Sequence, residues 1–320
     1  MARPKLNLPY TGITSFGKFP ILTDLSTFDA DVGILGIPFD MTTQYRSGAK
    51  MGPRGVRDSS SIYSFGLGGS YDPERDDVYL GEPWRIVDCG DADMVHGDLQ
   101  ACFENTRDAV KEISDRGGMV VGIGGDHAVT IPILQGLADQ GPFGIIQIDA
   151  HLDFVDQKAG QRFGHGSPMR RASEMDHVTG MAQLGIRGIG SSGRSDFDAA
   201  RAYGSVIMSP KEIRAAGIAE TLRRIPQCDQ YYVTIDIDGI DPSIAWGTGT
   251  PSPGGLYYDE VNALLEGIAK KGKVIGFDLV EVAPCYDTSG LTGQVAARII
   301  LDLIGFALKE RERAGDLPRR

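Results

Sequence analysis

The stretch MVVGIGGDHAVTIPILQGLADQGPFGIIQIDAHLD, residues 119–153, holds the pattern from which the fold follows. Two short aliphatic runs, MVVGIGG and FGIIQI, flank a segment whose apolar residues recur at helical spacing. The runs are continuous rather than alternating, as expected of strands buried on both faces. Strands alternating with helices point to a mainly parallel sheet. The same type of run recurs as DVGILGIPF (31–39), WRIVDCG (84–90), MAQLGIRGIG (181–190), SVIMSP (205–210), YYVTIDID (231–238) and KVIGFDLVEV (273–282). Helical spacing recurs in DLQACFENTRDAVKEISDRGG (98–118), where glycine follows the end, and in YDEVNALLEGIAKKGK (258–273). The expectation is an α/β fold with a mainly parallel sheet covered on both faces. No linker, low-complexity tract or repeat divides the chain, so a single domain over 1–320 is expected, with residues 1–30 as an N-terminal extension.

Composition narrows the class. The 320 residues are 41% hydrophobic and 23% charged, ordinary for a soluble globular protein. A net charge of −11 argues against nucleic-acid or anionic-membrane partners, both of which reward basic surfaces. The N-terminus lacks the apolar core of a signal peptide. Asp302 interrupts the best membrane-span candidate, ARIILDLIGFAL (297–308), which reads instead as an amphipathic C-terminal helix. Cys89, Cys102, Cys228 and Cys285 form no CxxC pair, which points to a reduced, cytoplasmic protein.

In parallel sheets, ligands bind where the strands end. Three ends share one style here. GIGGDH closes with Asp126 and His127, IIQIDAHLD with Asp149, His151 and Asp153, and YYVTIDIDGID with Asp236, Asp238 and Asp241. Residues two apart on a strand share a face, so Asp149, His151 and Asp153 form one cluster and Asp236 and Asp238 another. His127 joins them if the strands are neighbours. Asp126 and Asp241 read as turn caps. The other four carboxylates cannot all ionise side by side unpaired, and no Lys or Arg lies within these motifs. Two divalent cations would neutralise them. Mixed carboxylate and imidazole donors without thiolate suit Mn²⁺, with Co²⁺, Ni²⁺ or Zn²⁺ able to compete. Paired ions of this kind activate a water for hydrolysis. His165, between two glycines in RFGHGSPMRR (162–171), is a candidate for proton transfer. Glu281, at the end of VIGFDLVEV, is placed to clamp a planar cation.

Together GGDH, DAHLD, HGSPMRR, DIDGIDPSIAWGTGTPSPGG and GFDLVEV resemble the ureohydrolase family of arginases, agmatinases and guanidino-acid hydrolases, from about residue 31 to the C-terminal helix. RSGAKMGPRGVR (46–57) is similar to the family's N-terminal segment. The resemblance implies a three-layer α/β/α fold and two Mn²⁺ per subunit. One ion would be held by His127, Asp149, Asp153 and Asp236, the other by His151, Asp149, Asp236 and Asp238. It further implies His165 as the proton shuttle, Glu281 as the guanidinium anchor and a homo-trimer or homo-hexamer. The implied reaction is attack on the guanidinium carbon by hydroxide held between the ions, with Asp153 orienting it, and release of urea and a primary amine. The opening YTGITSFGKFP (10–20) looks more like agmatinases and guanidinobutyrases than arginases, and Val155 stands where arginases carry a carboxylate-binding asparagine. Leu152 replaces the usual Thr or Ser, and Trp246 and Ser252 replace a common Pro and Glu, changes that would reshape the pocket.

Agmatine is the favoured substrate on this resemblance, with 4-guanidinobutyrate, 3-guanidinopropionate or a small substituted guanidine as alternatives. The loop from 154 to 162 is expected to read the tail, through Asp156 for an ammonium or Arg162 for a carboxylate. Two other classes compete. GIRGIGSSG (185–193) contains a GxGxxG before a helix-like SDFDAARAYG (195–204), with Glu212 about twenty residues on, as in an NAD-linked oxidoreductase. It explains none of the carboxylates. A non-catalytic homologue would be expected to have lost some of the six ligand positions.

Overall fold

The computed structural model describes residues 8–64, 69–316 and 318. In chain order the strands are β1 (Val32–Ile37), β2 (Ser70–Asp72), β3 (Asp77–Tyr79), β4 (Ile86–Asp91), β5 (Met119–Gly124), β6 (Phe143–Ile148), β7 (Val178–Leu184), β8 (Val206–Met208), β9 (Gln230–Asp236) and β10 (Lys273–Val280). The eight aliphatic runs of the sequence are the eight strands of one sheet, ordered β4-β1-β5-β10-β9-β6-β7-β8, and every neighbouring pair is parallel. β2 and β3 pair separately as an antiparallel hairpin that the aliphatic pattern did not announce. Each has three residues and none is buried, so no hydrophobic run marks them. β7 begins at Val178, ahead of the expected run, and stops at Leu184, so GIRGIG is loop.

The helices are α1 (Gly52–Ser60), α2 (Leu99–Asp115), α3 (Thr130–Gly136), α4 (Pro168–Ala172), α5 (Arg194–Tyr203), α6 (Pro210–Ala216), α7 (Ile218–Arg224), α8 (Tyr258–Lys271) and α9 (Leu291–Arg313). Alternation along the strands sorts them into two layers. Val121 and Ile123 of β5 pack in a cluster with Val56 of α1, Ile213 of α6, Leu264 of α8 and Ile304 of α9. Val120, one residue along, joins the opposite cluster with Val110 of α2, Ile133 of α3, Ala172 of α4 and Ala200 of α5. The result is the expected three-layer α/β/α arrangement. Local signals set the helix starts: Asp98 accepts from the Ala101 N–H at the head of α2, and Glu260 reaches back to the Tyr257 N–H at the head of α8.

α9 corrects one expectation. Over an 18-residue window its mean hydropathy is 1.6, long and apolar enough to cross a bilayer by length and composition, so Asp302 does not break the stretch. Yet 72% of that window is buried inside the protein. Buried positions run from Thr292 to Leu308 around most of the helix, which makes it a core helix rather than an amphipathic one. The Asp302 carboxylate is satisfied there by the Tyr258 hydroxyl, by Asn262 Nδ2 at 2.9 Å and by Arg298 Nε at 2.8 Å.

The N-terminal segment closes the open edge of β4, where unpaired backbone would otherwise invite another chain. Leu22 N–H donates to the Asp88 carbonyl at 2.9 Å, and Asp88 N–H donates to the Pro20 carbonyl at 2.8 Å. Phe16 is fully buried, and its N–H donates to Asp88 Oδ2 at 2.7 Å. Residues 1–7 of the expected extension lie outside the described residues. Asp88 is itself held by a fork from Arg57, Nε at 2.9 Å and Nη2 at 3.0 Å, and both side chains are buried. Removing the cation leaves a buried carboxylate uncompensated. Arg57→Ala is therefore expected to lose about 3–5 kcal/mol of unfolding free energy, measured by urea denaturation; a loss under 1 kcal/mol would remove this pair from the scaffold.

Candidate metal centre

The strand order puts the ends of β5, β10, β9 and β6 side by side, and each end delivers a polar side chain. His127 follows β5, Glu281 follows β10, Asp236 ends β9, and Asp149 follows β6. His127 Nδ1 lies 3.1 Å from Asp149 Oδ2, 2.9 Å from Asp153 Oδ2 and 3.4 Å from Asp236 Oδ2. His151 Nδ1 lies 3.1 Å from Asp238 Oδ2 and 3.7 Å from Asp149 Oδ1. Five of the six expected ligands fall in two donor groups that share Asp149: His127, Asp149 and Asp236 in one, Asp149, His151 and Asp238 in the other. Asp153, expected as a ligand of the first ion, is in neither group, though its carboxylate stands 2.9 Å from His127 Nδ1. Asp236 falls only in the first group, although the resemblance implied that it bridges. Asp126 and Asp241 take the expected capping parts. Asp126 accepts from Ala128 N–H and from the Thr42 N–H and hydroxyl, and Asp241 from Ser243, Gly254 and Gly255 N–H.

Two observations test whether cations fit. The first is electrostatic. Asp149, Asp236 and Asp238 are at most 3% exposed. Burial, then Asp153 and Asp238, push Asp149 up to about 7, and burial with Asp238 and Asp149 raises Asp236 well above the carboxylate range. Asp238 is held down at about 2, because His151 outweighs its burial. Arg187 comes near but spends its guanidinium on backbone carbonyls, among them those of Asp238, Gly239 and Ser252. The second observation is His127 Nδ1, a buried nitrogen without a hydrogen-bond partner. Its other nitrogen, Nε2, lies 2.9 Å from the Thr234 hydroxyl, which donates to Asp278 Oδ1 at 2.5 Å. With that hydroxyl's proton committed to Asp278, Nε2 must donate, which leaves Nδ1 as the nitrogen available to a cation. Without an ion, burial lowers the ring's pKa but its contacts with Asp149, Asp153 and Asp236 outweigh it and raise it well above the usual value, so a cation would take the place of the proton at Nδ1. The donor set fits two divalent ions.

Further buried polar groups hold the ligands, and ligand-motif reading passed over most of them. Asp278 also accepts from Thr130 Oγ1 and Tyr232 OH. Gln147 Nε2 donates to Asp149 Oδ2 at 2.6 Å, Gln183 Nε2 to Gln147 Oε1, and Ser205 to Gln183 Oε1. A glutamine or threonine inside an aliphatic strand run was the available signal. Asp153 and Glu281 adopt left-handed backbone, with φ of 51° and 62°. Such strain costs about 1–3 kcal/mol at a non-glycine residue and is characteristic of functional sites.

Glu281 Oε1 accepts from the His127 N–H at 3.0 Å and lies 3.1 Å from His165 Nδ1. Burial lowers the His165 pKa, but the hydrogen bond and charge of Glu281, with Asp126 and Asp153, outweigh it and raise it to about 9. Both residues line a cleft of about 200 Å³ together with His151, Asp153, Asp236, Gln44, Tyr45, Val155, Lys158, Ser191 and Thr250. Asp156 and Arg162, expected in the cleft, are not among its lining residues. Asp156 Oδ1 pairs with Arg171 at 2.6 Å and with Arg162 at 3.4 Å. Trp246 and Ser252 do not line it either. Leu152 is buried in the core, and its carbonyl accepts from Gln183. The GxGxxG segment does follow a strand and precede a helix, but Gly188 is packed against the metal ligands. A Cβ there would stand 2.4 Å from His151 Cδ2. Glu212 caps the N-terminus of α6.

A sheet of this topology, with carboxylates and imidazoles converging at a strand-end cleft, defines a metal-dependent hydrolase of the three-layer α/β/α class. The chain belongs to the arginase family, whose model matches residues 30–305. It is 34% identical over 302 residues to a guanidinopropionase of Pseudomonas aeruginosa, covering 92% of each chain. It is 32% identical over 295 residues to an agmatinase of Sodalis glossinidius, covering 90% of this chain and 91% of that one. Among solved structures, the proclavaminate amidino hydrolase of Streptomyces clavuligerus superposes with a TM-score of 0.84 at 31% identity, over 94% of this chain and 99% of that one.

The relay behind His127 gives a prediction. Thr234→Val removes the hydroxyl that fixes the tautomer and should weaken divalent-ion binding about 10–100-fold, read by metal titration well below the unfolding temperature. An unchanged affinity would show that the hydroxyl does not govern the ligand.

Proposed function

We propose that this arginase-family hydrolase cleaves a small guanidino compound to urea and an amine, using two manganese ions held by His127, Asp149, Asp153, Asp236, His151 and Asp238. One observation carries the reading: two donor groups share Asp149, and their members Asp236 and His151 line a cleft that Glu281 and His165 also line. Carboxylate and imidazole donors without thiolate support manganese. When bound, such a pair supplies Lewis acidity and a water acidic enough to serve as nucleophile near neutral pH.

The chain's own residues do the rest. The Glu281 carboxylate binds the substrate's planar cation through charge-assisted hydrogen bonds and sets the guanidinium carbon over the ion site. Asp153 is turned inward by its left-handed backbone and orients the attacking water. The C–N bond to the leaving amine then breaks, and that nitrogen needs a proton. His165 can carry one, because the hydrogen bond and charge of Glu281 favour its protonated ring, and it stands at the cleft wall beside Glu281. It is the proton donor, and Glu281 holds its ring in place. Four free cysteines support a reducing, cytoplasmic setting.

Urea release from guanidino substrates tests the reaction: chelation should abolish it and Mn²⁺ restore it. His165→Asn should keep its metal and lose roughly 10²–10⁴-fold in kcat. Full activity, or loss of metal, in that variant would contradict the assignment. Glu281→Gln removes a charge-assisted contact of about 1.5–3 kcal/mol, so kcat/KM should fall roughly ten- to hundredfold for all guanidino substrates alike. A loss confined to one substrate would place Glu281 at the tail instead.

A further inference from the structure

The cleft's charge inventory separates two kinds of substrate tail. Its lining carboxylates are Asp153, Asp236 and Glu281. The first two belong to the ion site and the third to the guanidinium. Among the described residues no lining carboxylate remains for a distal ammonium, and the lining's one Lys or Arg is Lys158.

Lys158 is placed by a rigid device. It pairs with Gln161 across an isolated antiparallel bridge, with both N–H···O bonds made at 2.9 Å. The two residues between them, Ala159 and Gly160, have φ of 49° and 83°. Two consecutive positive φ values define the tight two-residue hairpin turn whose twist matches its flanking strands. The hairpin's base is fastened. Arg162 reaches Asp156 and Glu174, Arg171 holds the same two acids, and Phe163 packs edge-on against Phe103. Asp156 and Arg162 therefore serve as anchors of the loop expected to read the tail, and Lys158 is the cation this loop presents. Unlike those arginines, Lys158 has no ion-pair partner among the described residues.

We infer that Lys158 is a specificity residue that binds a carboxylate at the far end of the substrate, so that this chain acts on a guanidino acid in preference to a guanidino amine. The inference rests on the guanidino-hydrolase reading above. A free ammonium at the hairpin tip attracts an anionic tail and repels the distal ammonium of agmatine. The net charge of −11 pulls the other way at long range, but salt screens it beyond about 8 Å at physiological ionic strength, so the local cation decides. The small cleft favours a short tail, since pockets that bury drug-sized ligands measure about 300–1,000 Å³. Val155 contributes an apolar wall for the methylene groups, and Ser191 and Tyr45 contribute hydroxyls near the mouth.

The test measures urea release by the Mn²⁺-loaded protein from 4-guanidinobutyrate, agmatine and a neutral alkylguanidine, in wild type, Lys158→Met and Lys158→Glu. Wild type should show a higher kcat/KM for the acid than for agmatine. Lys158→Met should lower the acid-to-alkylguanidine ratio on the order of tenfold, chiefly through KM, and Lys158→Glu should invert the preference towards agmatine. A wild type that prefers agmatine, or a ratio unmoved in both variants, overturns the inference while alkylguanidine turnover upholds the chemistry. No urea from any of the three overturns the underlying reaction, and the inference with it.

Discussion

Four carboxylates buried at one end of a parallel sheet, with no Lys or Arg among the described residues paired to them, are the constraint on which the rest of this structure depends. Their ion-pair contacts among the described residues are two imidazoles. Burial and mutual repulsion push Asp149 and Asp236 towards the protonated state. Protons can relieve that repulsion, but divalent cations relieve it while using every lone pair the site offers. The fold tolerates the arrangement because the ligands stand on the ends of adjacent strands whose bodies are buried on both faces.

The surrounding polar groups extend this logic inward. Three of the ligands are aimed by polar partners: His127 by Thr234 and Asp278, Asp149 by Gln147 and Gln183, Asp238 by Ala150 N–H and Thr250. A half-satisfied network at this depth would cost more than an apolar core. Arg187 performs the matching task for backbone, tying the turn after β9 to the Ser252–Pro253 segment through carbonyls from both. The reactive side chains are thus placed from rigid elements, and the tail is met by a loop. Strands β5, β6, β9 and β10 supply the chemistry, and the 158–161 hairpin, fastened at its base by two arginines, supplies the contact with what lies beyond the guanidinium.

The sequence by itself determined the strands, the layer class and the carboxylates and imidazoles that converge at the strand ends. Continuous aliphatic runs have few alternatives to doubly buried strands, and carboxylates two apart at a strand end must share a face. Asp149, His151, Asp153, Asp236 and Asp238 could be read from spacing alone, and the motif resemblance carried His165 and Glu281. The hairpin of β2 and β3 was not legible, because its short exposed strands leave no hydrophobic pattern. The depth of α9 was not legible either, because whether an apolar helix with one acid faces lipid, water or core depends on what packs around it, and Asp302 finds Tyr258, Asn262 and Arg298 only in three dimensions. Tertiary structure alone decided which charge of the 154–162 loop faces the cleft. Asp156, Lys158 and Arg162 lie within seven residues of one another, and a single tight turn sets Lys158, itself exposed, on the cleft lining while Arg171, brought from α4, pairs with Asp156. Side-chain direction in a loop is set by turn geometry and by partners distant in sequence, and neither is written in local spacing.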